Sequence, residues 1–289
     1  MGACVCRKSI VFAPALTLPR RRGRGMFLIL LLSALVTGGS LHAATDPYPQ
    51  SARSYLLDLD GEILWQRDAA LALQPASLSK LLTALVVLDA GWDADRWITV
   101  SADVAATPPT RLGLRTGEEI SAGAALAAML IRSANDACRA LVENVTPDTG
   151  RFLERMNARA AQIGMKHSHF GDPCGFDAPG QYTTATDLLQ LARAAHANPL
   201  IARLTATPRA ELQTRAGRTI PFVNTNQLLG RLDGAEGMKT GYTAQAGQCL
   251  IAYARRPGHE VWLVMLGGTQ RWWLAHGMID DAFDVAARR

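Results

Sequence analysis

The spacing of apolar residues changes twice along this chain. In SYLLDLDGEILWQRD, residues 54–68, two strand-like runs flank Asp60-Gly61, a pair that marks a tight hairpin when apolar runs surround it. From Leu78 the spacing becomes helical: Leu78, Leu81, Leu82, Leu85 and Val86 share one broad face, and Gly91 closes the helix. Helical spacing continues over residues 122–145, with a joint near Ser133-Ala134-Asn135, then over 151–165 and from about 186 to 196. Residues 170–187, rich in Gly, Pro and Asp, form a loop. Strand spacing then returns at 217–224, 237–243, 247–256 and 259–268, and the Pro257-Gly258 turn joins the last two as an antiparallel hairpin. A final helix starts at Arg271. Strands at both ends with helices between them specify an α+β fold: one antiparallel sheet built from the two chain ends, with a helical subdomain inserted.

The first 45 residues obey a different pattern. They carry Arg7, Lys8, Arg20, Arg21, Arg22 and Arg24 and no acid, then the 11-residue run MFLILLLSALV, then small and polar residues. Basic region, short apolar run and small residues make a secretory signal peptide, and 11 residues fall short of the ~20 that a membrane span needs. Residues 1–44 are read as that signal, with cleavage near Ala43 or Ala44, and 45–289 as the mature domain; a retained N-terminal anchor is the competing reading. Removing six basic residues from 30 leaves 24 against 25 acidic ones. The basic balance therefore belongs to the targeting segment and gives no reason to invoke nucleic acid. Residues 279–289, with adjacent acids and no basic amphipathic face, suggest no C-terminal membrane anchor.

Cys138, Cys174 and Cys249 remain in the mature chain, in no zinc spacing. They fit one disulfide plus one thiol, or three buried thiols. His167 and His169 lie two apart without other ligand types nearby and read as packing or surface residues, so no metal is expected.

Of 30 basic residues only four are lysine: Lys8, Lys80, Lys166 and Lys239. Arginine keeps its proton in proteins, whereas lysine can lose it and act as a base. Lys80 follows Ser77 by three positions at a helix start, so amine and hydroxyl share a face. Alone, S-x-x-K reads far more readily as a capping serine with a surface lysine, since short motifs recur by chance, and Ser79 is a second candidate for the cap or the hydroxyl partner. Two further triplets change that balance. Ser133-Ala134-Asn135 offers a hydroxyl and an amide at a helix joint. Lys239-Thr240-Gly241 lies on a strand, with Lys239 and Gly241 on one face, Thr240 on the other, and Gly241 leaving room for a close backbone approach. S-x-x-K, S-x-N and K-T-G in this order are the motif set of class A β-lactamases and penicillin-binding proteins.

With those triplets, PASLSKLLTA, IRSANDA, FLERMN, IGMKHSHF, GFDAPGQYTTATDLLQLAR, NTNQLLG, GAEGMKTGYT and the strand ending in LGG, the chain resembles the D-alanyl-D-alanine carboxypeptidases, the low-molecular-mass penicillin-binding proteins, over nearly all of its mature length. The resemblance implies a β-lactamase/transpeptidase-like fold and a periplasmic serine peptidase, without cofactor, that acts on peptidoglycan stem peptides and is covalently inhibited by β-lactams. It implies Ser77 as nucleophile and Lys80 as its base, its amine neutralised by burial and by nearby Lys239. Ser133 relays a proton, Asn135 holds Lys80 and the substrate backbone, and Lys239 and Thr240 bind the terminal carboxylate beside Gly241. The N–H groups of Ser77 and Tyr242 form the oxyanion hole.

Departures from the family pattern also matter. Glu154-x-x-Asn157 falls one residue short of the deacylating glutamate motif of class A β-lactamases, and lies within a helix, which sets that activity aside. Thr225 stands where some relatives carry arginine, leaving carboxylate recognition to Thr240, Lys239 and an arginine not identifiable from sequence. Cys174 takes a loop position often held by His or Asn and reads as packing. No C-terminal β-domain is expected. The alternatives are a D,D-endopeptidase that cuts cross-links on the same scaffold and a catalytically weak wall-binding protein.

Overall fold

The computed structural model describes residues 46–289. The expected signal segment and its cleavage site lie outside the described residues. Asp60 and Gly61 adopt φ of 55° and 91°, the left-handed pair that a two-residue hairpin turn requires. They join β1 (Ala52–Leu59) to β2 (Glu62–Arg67), with Leu59 opposite Glu62. A 3-10 turn, Ala76–Leu78, runs into α1 (Ser79–Asp89), and Gly91 follows at φ 79° as expected of a helix stop.

Residues 92–121 hold β3 (Trp97–Thr99), α2 (Ala102–Ala105) and β4 (Glu119–Ser121), which spacing does not reveal because three or four residues are too few to show a period. Then come α3 (Ala122–Ile131), capped by the Ser121 hydroxyl, α4 (Asn135–Val145), α5 (Thr149–Gln162) and α6 (Ala185–His196). An additional helix, α7 (Pro199–Ala206), starts at an Asn198 cap with proline in its first turn, and β5 (Arg209–Gln213) pairs with β6 (Thr219–Val223). The chain ends with β7 (Ala235–Thr243), β8 (Gly247–Arg256), β9 (His259–Gly268) and α8 (Arg271–Ala287).

The main sheet has five antiparallel strands in the order β2-β1-β9-β8-β7, so both chain ends build it, as expected. One face packs Tyr55, Leu57, Leu59, Leu263 and Met265 against Ala275, Met278 and Ile279 of α8. The other packs Leu56, Ile251, Val264 and Leu266 into a larger core with α1, α3, α4 and α6. Cover on both faces explains why β8 and β9 are nearly unbroken apolar runs. Each such side chain taken fully from water contributes about 1.5–3 kcal/mol. Strand β7, at the edge of this sheet, faces the 3-10 turn that leads into α1, and the functional residues meet along that seam.

Candidate active site

Ser77 lies in the 3-10 turn and Lys80 in the first turn of α1. Lys80 is fully buried, its Nζ 3.0 Å from Ser77 Oγ, 2.7 Å from Asn135 Oδ1 and hydrogen-bonded to the Cys174 carbonyl. Burial pushes its pKa down to about 7; the Asp172 carboxylate opposes that and Arg139 adds to it. Arg139 is a second like charge on Lys80 beside the expected Lys239, whose own pKa the Lys80 amine lowers. Ser79 is neither cap nor nucleophile partner: it is buried and its hydroxyl donates to the Ala76 carbonyl at 3.0 Å.

Across the seam, Lys239 is equally buried, and its Nζ donates to Ser133 Oγ at 2.8 Å and to the Thr240 carbonyl at 3.0 Å. Burial foremost, then Lys80 and Arg271, hold its pKa well below the usual lysine range. Each amine is therefore set against one serine. Ser133 sits at φ 63° and Ala76, just before Ser77, at φ 49°, a conformation that costs a non-glycine residue about 1–3 kcal/mol. The surroundings hold both in place. Asn135 N donates to the Thr110 carbonyl at 2.7 Å, and Asp136 accepts from the N–H groups of Leu112, Gly113 and Leu114.

Gly241 does leave room for a close approach, but the approaching backbone is internal: a Cβ there would lie 2.9 Å from Ala76 Cβ and 3.1 Å from Ser77 N. Gly175, at φ 83°, presses still closer, with its Cβ position 2.0 Å from the Ala76 carbonyl oxygen. These two glycines clamp the turn that carries Ser77 from the sheet and from the 170–181 loop.

That loop is the part of the site that sequence reading missed. Cys174, expected as packing, forms a disulfide with Cys138 of α4, Cα–Cα 5.9 Å, while Cys249 stays a buried thiol pushed up to about 11 by burial. Thr83 Oγ1 donates to the Pro173 carbonyl, and Asp172 Oδ1 accepts from Cys174 N and Phe176 N. Arg139 pairs with Asp172 at 3.5 Å. Asn157 bonds both N and O of Phe170, so the Glu154-x-x-Asn157 segment serves to hold this loop. Pairing of Cys138 with Cys174 has no local sequence signal; it becomes visible only once α4 and the loop are placed together.

The cleft occupies about 470 Å³. Ser77, Ser133, Asn135, Thr240, Gly241 and Tyr242 line it, and Lys80 and Lys239 support it from behind through their serines. All the residues predicted from the motifs thus converge. Thr225 lines it too, its hydroxyl 2.7 Å from that of Thr240. The arginine that borders the cleft is Arg271, at the start of α8: Nη1 donates to the carbonyls of Gly241 and Cys249 at 2.8 and 2.9 Å. A larger groove of about 670 Å³ between Arg132 and the β5–β6 hairpin contains no nucleophile–base pair.

A sequence profile of the D-alanyl-D-alanine carboxypeptidase family matches residues 42–270. The chain belongs to this family. Within the carboxypeptidase family it is 36% identical over 254 residues to D-alanyl-D-alanine carboxypeptidase DacB2 of Mycobacterium tuberculosis, covering 83% of this chain and 86% of that protein. It is 34% identical over 215 residues to a D-alanyl-D-alanine endopeptidase of Escherichia coli, covering 72% and 68%. The crystal structure of a D-alanyl-D-alanine carboxypeptidase from Mycobacterium tuberculosis superposes with a TM-score of 0.74 at 32% identity, covering 81% of this chain and 92% of that one. A Listeria monocytogenes penicillin-binding protein in its ampicillin-bound form gives 0.69 at 29% identity, covering 81% and 98%. The carboxypeptidase and penicillin-binding fold is therefore the fold of this chain.

Proposed function

We propose that this protein is a serine-type D-Ala-D-Ala carboxypeptidase that removes the terminal D-alanine of peptidoglycan stem peptides through an acyl-enzyme on Ser77. One observation carries the reading: a fully buried amine with a pKa near 7, 3.0 Å from a cleft hydroxyl. A neutral amine has two N–H bonds and one lone pair. The two N–H bonds of Lys80 point to Asn135 Oδ1 and the Cys174 carbonyl, leaving the lone pair to accept the proton of Ser77.

The steps follow from that geometry. Ser77 Oγ attacks the carbonyl of the scissile bond as its proton passes to Lys80, a base contribution of about 10²–10⁴-fold. The N–H groups of Ser77 and Tyr242 receive the oxyanion, and one such donor is worth about 10²–10³-fold. Ser133, hydrogen-bonded to Lys239, relays the proton taken up by Lys80 to the departing amine as the C–N bond breaks, leaving Lys80 neutral again. Water attacks the ester carbonyl as its proton passes to Lys80; the ester C–O bond breaks, Ser77 Oγ takes that proton back, and the shortened peptide leaves. Thr240, Thr225, Lys239 and Arg271 recognise the free carboxylate, with Gly241 keeping the Thr240–Tyr242 edge close to Ser77. The Cys138–Cys174 bridge supports an oxidising, periplasmic location.

The test is release of free D-alanine from a D-Ala-D-Ala pentapeptide, together with mass spectrometry after penicillin exposure. Turnover and a covalent adduct on Ser77 are expected, both absent in Ser77→Ala; no release above that control refutes the reading. The endopeptidase name of the Escherichia coli relative favours cross-link cleavage as a second reading, and digestion of cross-linked dimers against monomers decides between them.

A further inference from the structure

We propose that Asp177 selects stem peptides in which the residue before the two D-alanines ends in a free ammonium group; this rests on the carboxypeptidase reading above and names the substrate class of the same cleft. Two charged side chains line the cleft, Arg271 and Asp177. Arg271 serves carboxylate recognition, whereas Asp177 takes no part in the chemistry described above. Asp177 lies half-buried in the 170–181 loop, and its Oδ1 accepts from Thr243 Oγ1 at 2.6 Å. Its Oδ2 has no hydrogen-bond partner among the described residues, and no ion pair among them includes Asp177.

The cations nearby are engaged elsewhere. Arg139 pairs with Asp172 at 3.5 Å and stands over the Phe176 ring. Arg271 is held by the carbonyls of Gly241 and Cys249 and stands over Trp272. Arg53 lays its alkyl chain on Gly267, where a Cβ would lie 2.8 Å from Arg53 Cδ. A cleft carboxylate with no cation of its own takes one from a ligand, and a charge-assisted hydrogen bond is the stronger kind. The Cys138–Cys174 bridge and Asp172 hold the loop, so Asp177 is set before a substrate arrives.

The order of roles along β7 places the ligand's cation. Thr240 takes the terminal carboxylate and the Tyr242 N–H takes the scissile carbonyl oxygen. Successive residues of β7 thus pass from the leaving side to the acyl side, and Thr243 comes next. A peptide bound in this sense runs antiparallel to β7 and advances about 3.3 Å per residue. The residue before the scissile D-alanine therefore lies beside Thr243. By strand alternation Thr243 shares a face with Gly241, the face that meets the turn carrying Ser77, and there it meets Asp177. A long alkyl side chain has Phe176 and Tyr242 of the cleft wall for apolar contact, and its ammonium reaches Oδ2. The Asp177–Thr243 bond also steadies the β7–β8 turn, since Thr243 Oγ1 accepts from Ala246 N at 3.0 Å. Asparagine at 177 keeps the Oδ1 acceptor and removes only the charge, which separates the two roles.

The experiment compares kcat/KM for a peptide ending in lysyl-D-alanyl-D-alanine with that for the same peptide carrying norleucine, which keeps the alkyl chain and lacks the ammonium. Wild type should prefer the lysyl peptide by about five-fold, the worth of one partly screened ion pair. The preference should shrink between ~0.1 M and ~1 M salt, as the screening length falls from ~10 to ~3 Å. Asp177→Asn should turn over both peptides at about the wild-type rate for the norleucine peptide, and Asp177→Glu should keep most of the preference. Equal turnover of both peptides by wild type overturns the proposal, as does a preference that persists in Asp177→Asn. An equal loss on both peptides in that variant assigns Asp177 to holding the loop alone and also overturns it. If Asp177→Asn does not fold, judged by thermal melting, the wild-type salt series decides, and a salt-independent preference overturns the proposal. If wild type hydrolyses neither peptide, the carboxypeptidase reading fails. The subsite is then judged by calorimetric titration with both peptides: tighter binding of the lysyl peptide, lost in Asp177→Asn, supports it, and equal or absent binding overturns it.

Discussion

Replacing both Cys138 and Cys174 with alanine should cost about 4 kcal/mol of stability. The bridge joins residues 36 apart in sequence, and the entropy it removes from the unfolded chain, about 13 cal/mol/K for a loop of that length, corresponds to about 4 kcal/mol at 25 °C. For a domain of this size each kcal/mol moves the melting temperature by about 2–4 °C, so a fall of about 8–16 °C is expected. Urea unfolding of wild type, with and without reductant, and of the double variant measures it. The midpoint should fall in reduced wild type and in the variant alike. Both cysteines are buried, so reductant needs prior opening of the loop, and the alanine variant provides the control that does not depend on access. Acylation by fluorescent penicillin should fall further than stability alone explains, because the same loop presents the Cys174 carbonyl to Lys80. Thr83, Asn157 and Gln181 still hold the loop, so some activity should survive. A stability change below about 1 kcal/mol would refute the assignment of this bridge as a constraint on the unfolded chain.

Other outcomes follow from the same geometry. Only the deprotonated Lys80 amine can take the Ser77 proton, so kcat/KM should rise with pH through about 7; Asp172→Asn removes a charge that raises the Lys80 pKa and should move that limb to lower pH, and an unmoved limb contradicts the assignment. Lys80→Arg, which cannot deprotonate, should lower acylation by at least about 10²-fold, read by penicillin stopped-flow. Gly175→Ala puts a methyl 2.0 Å from the Ala76 carbonyl at positive φ, and should damage acylation more than thermal stability because the displaced turn carries Ser77. Arg271→Leu should shrink the preference for a free C-terminal carboxylate over the amide, measured as a ratio of KM values.

The site triplets are legible in sequence because each proposed role admits few residue types: an amine able to lose its proton calls for lysine at 80 where arginine is otherwise the rule. The Asp60-Gly61 hairpin and the closing strands are legible because turn chemistry and period are local. Arg271 is not, being one arginine among many, 30 residues from the Gly241 carbonyl it binds. Nor is the Cys138–Cys174 pairing or the Gly175 clamp, since each depends on where a loop lands on a helix. The short strands β3 and β4 are hidden by length alone.

β9, the last strand in chain order among the described residues, is the middle strand of the main sheet. Its partner β1 was made some 200 residues earlier, with Ala52 set against Gly268. A nascent chain therefore carries its opening hairpin with one edge unsatisfied for almost its whole synthesis or passage, a template for mispairing until the centre arrives. Residues 259–268 thus decide whether the first strands ever close, and disrupting β9 would unsettle the sheet behind Ser77 without touching Ser77, Lys80, Ser133 or Lys239.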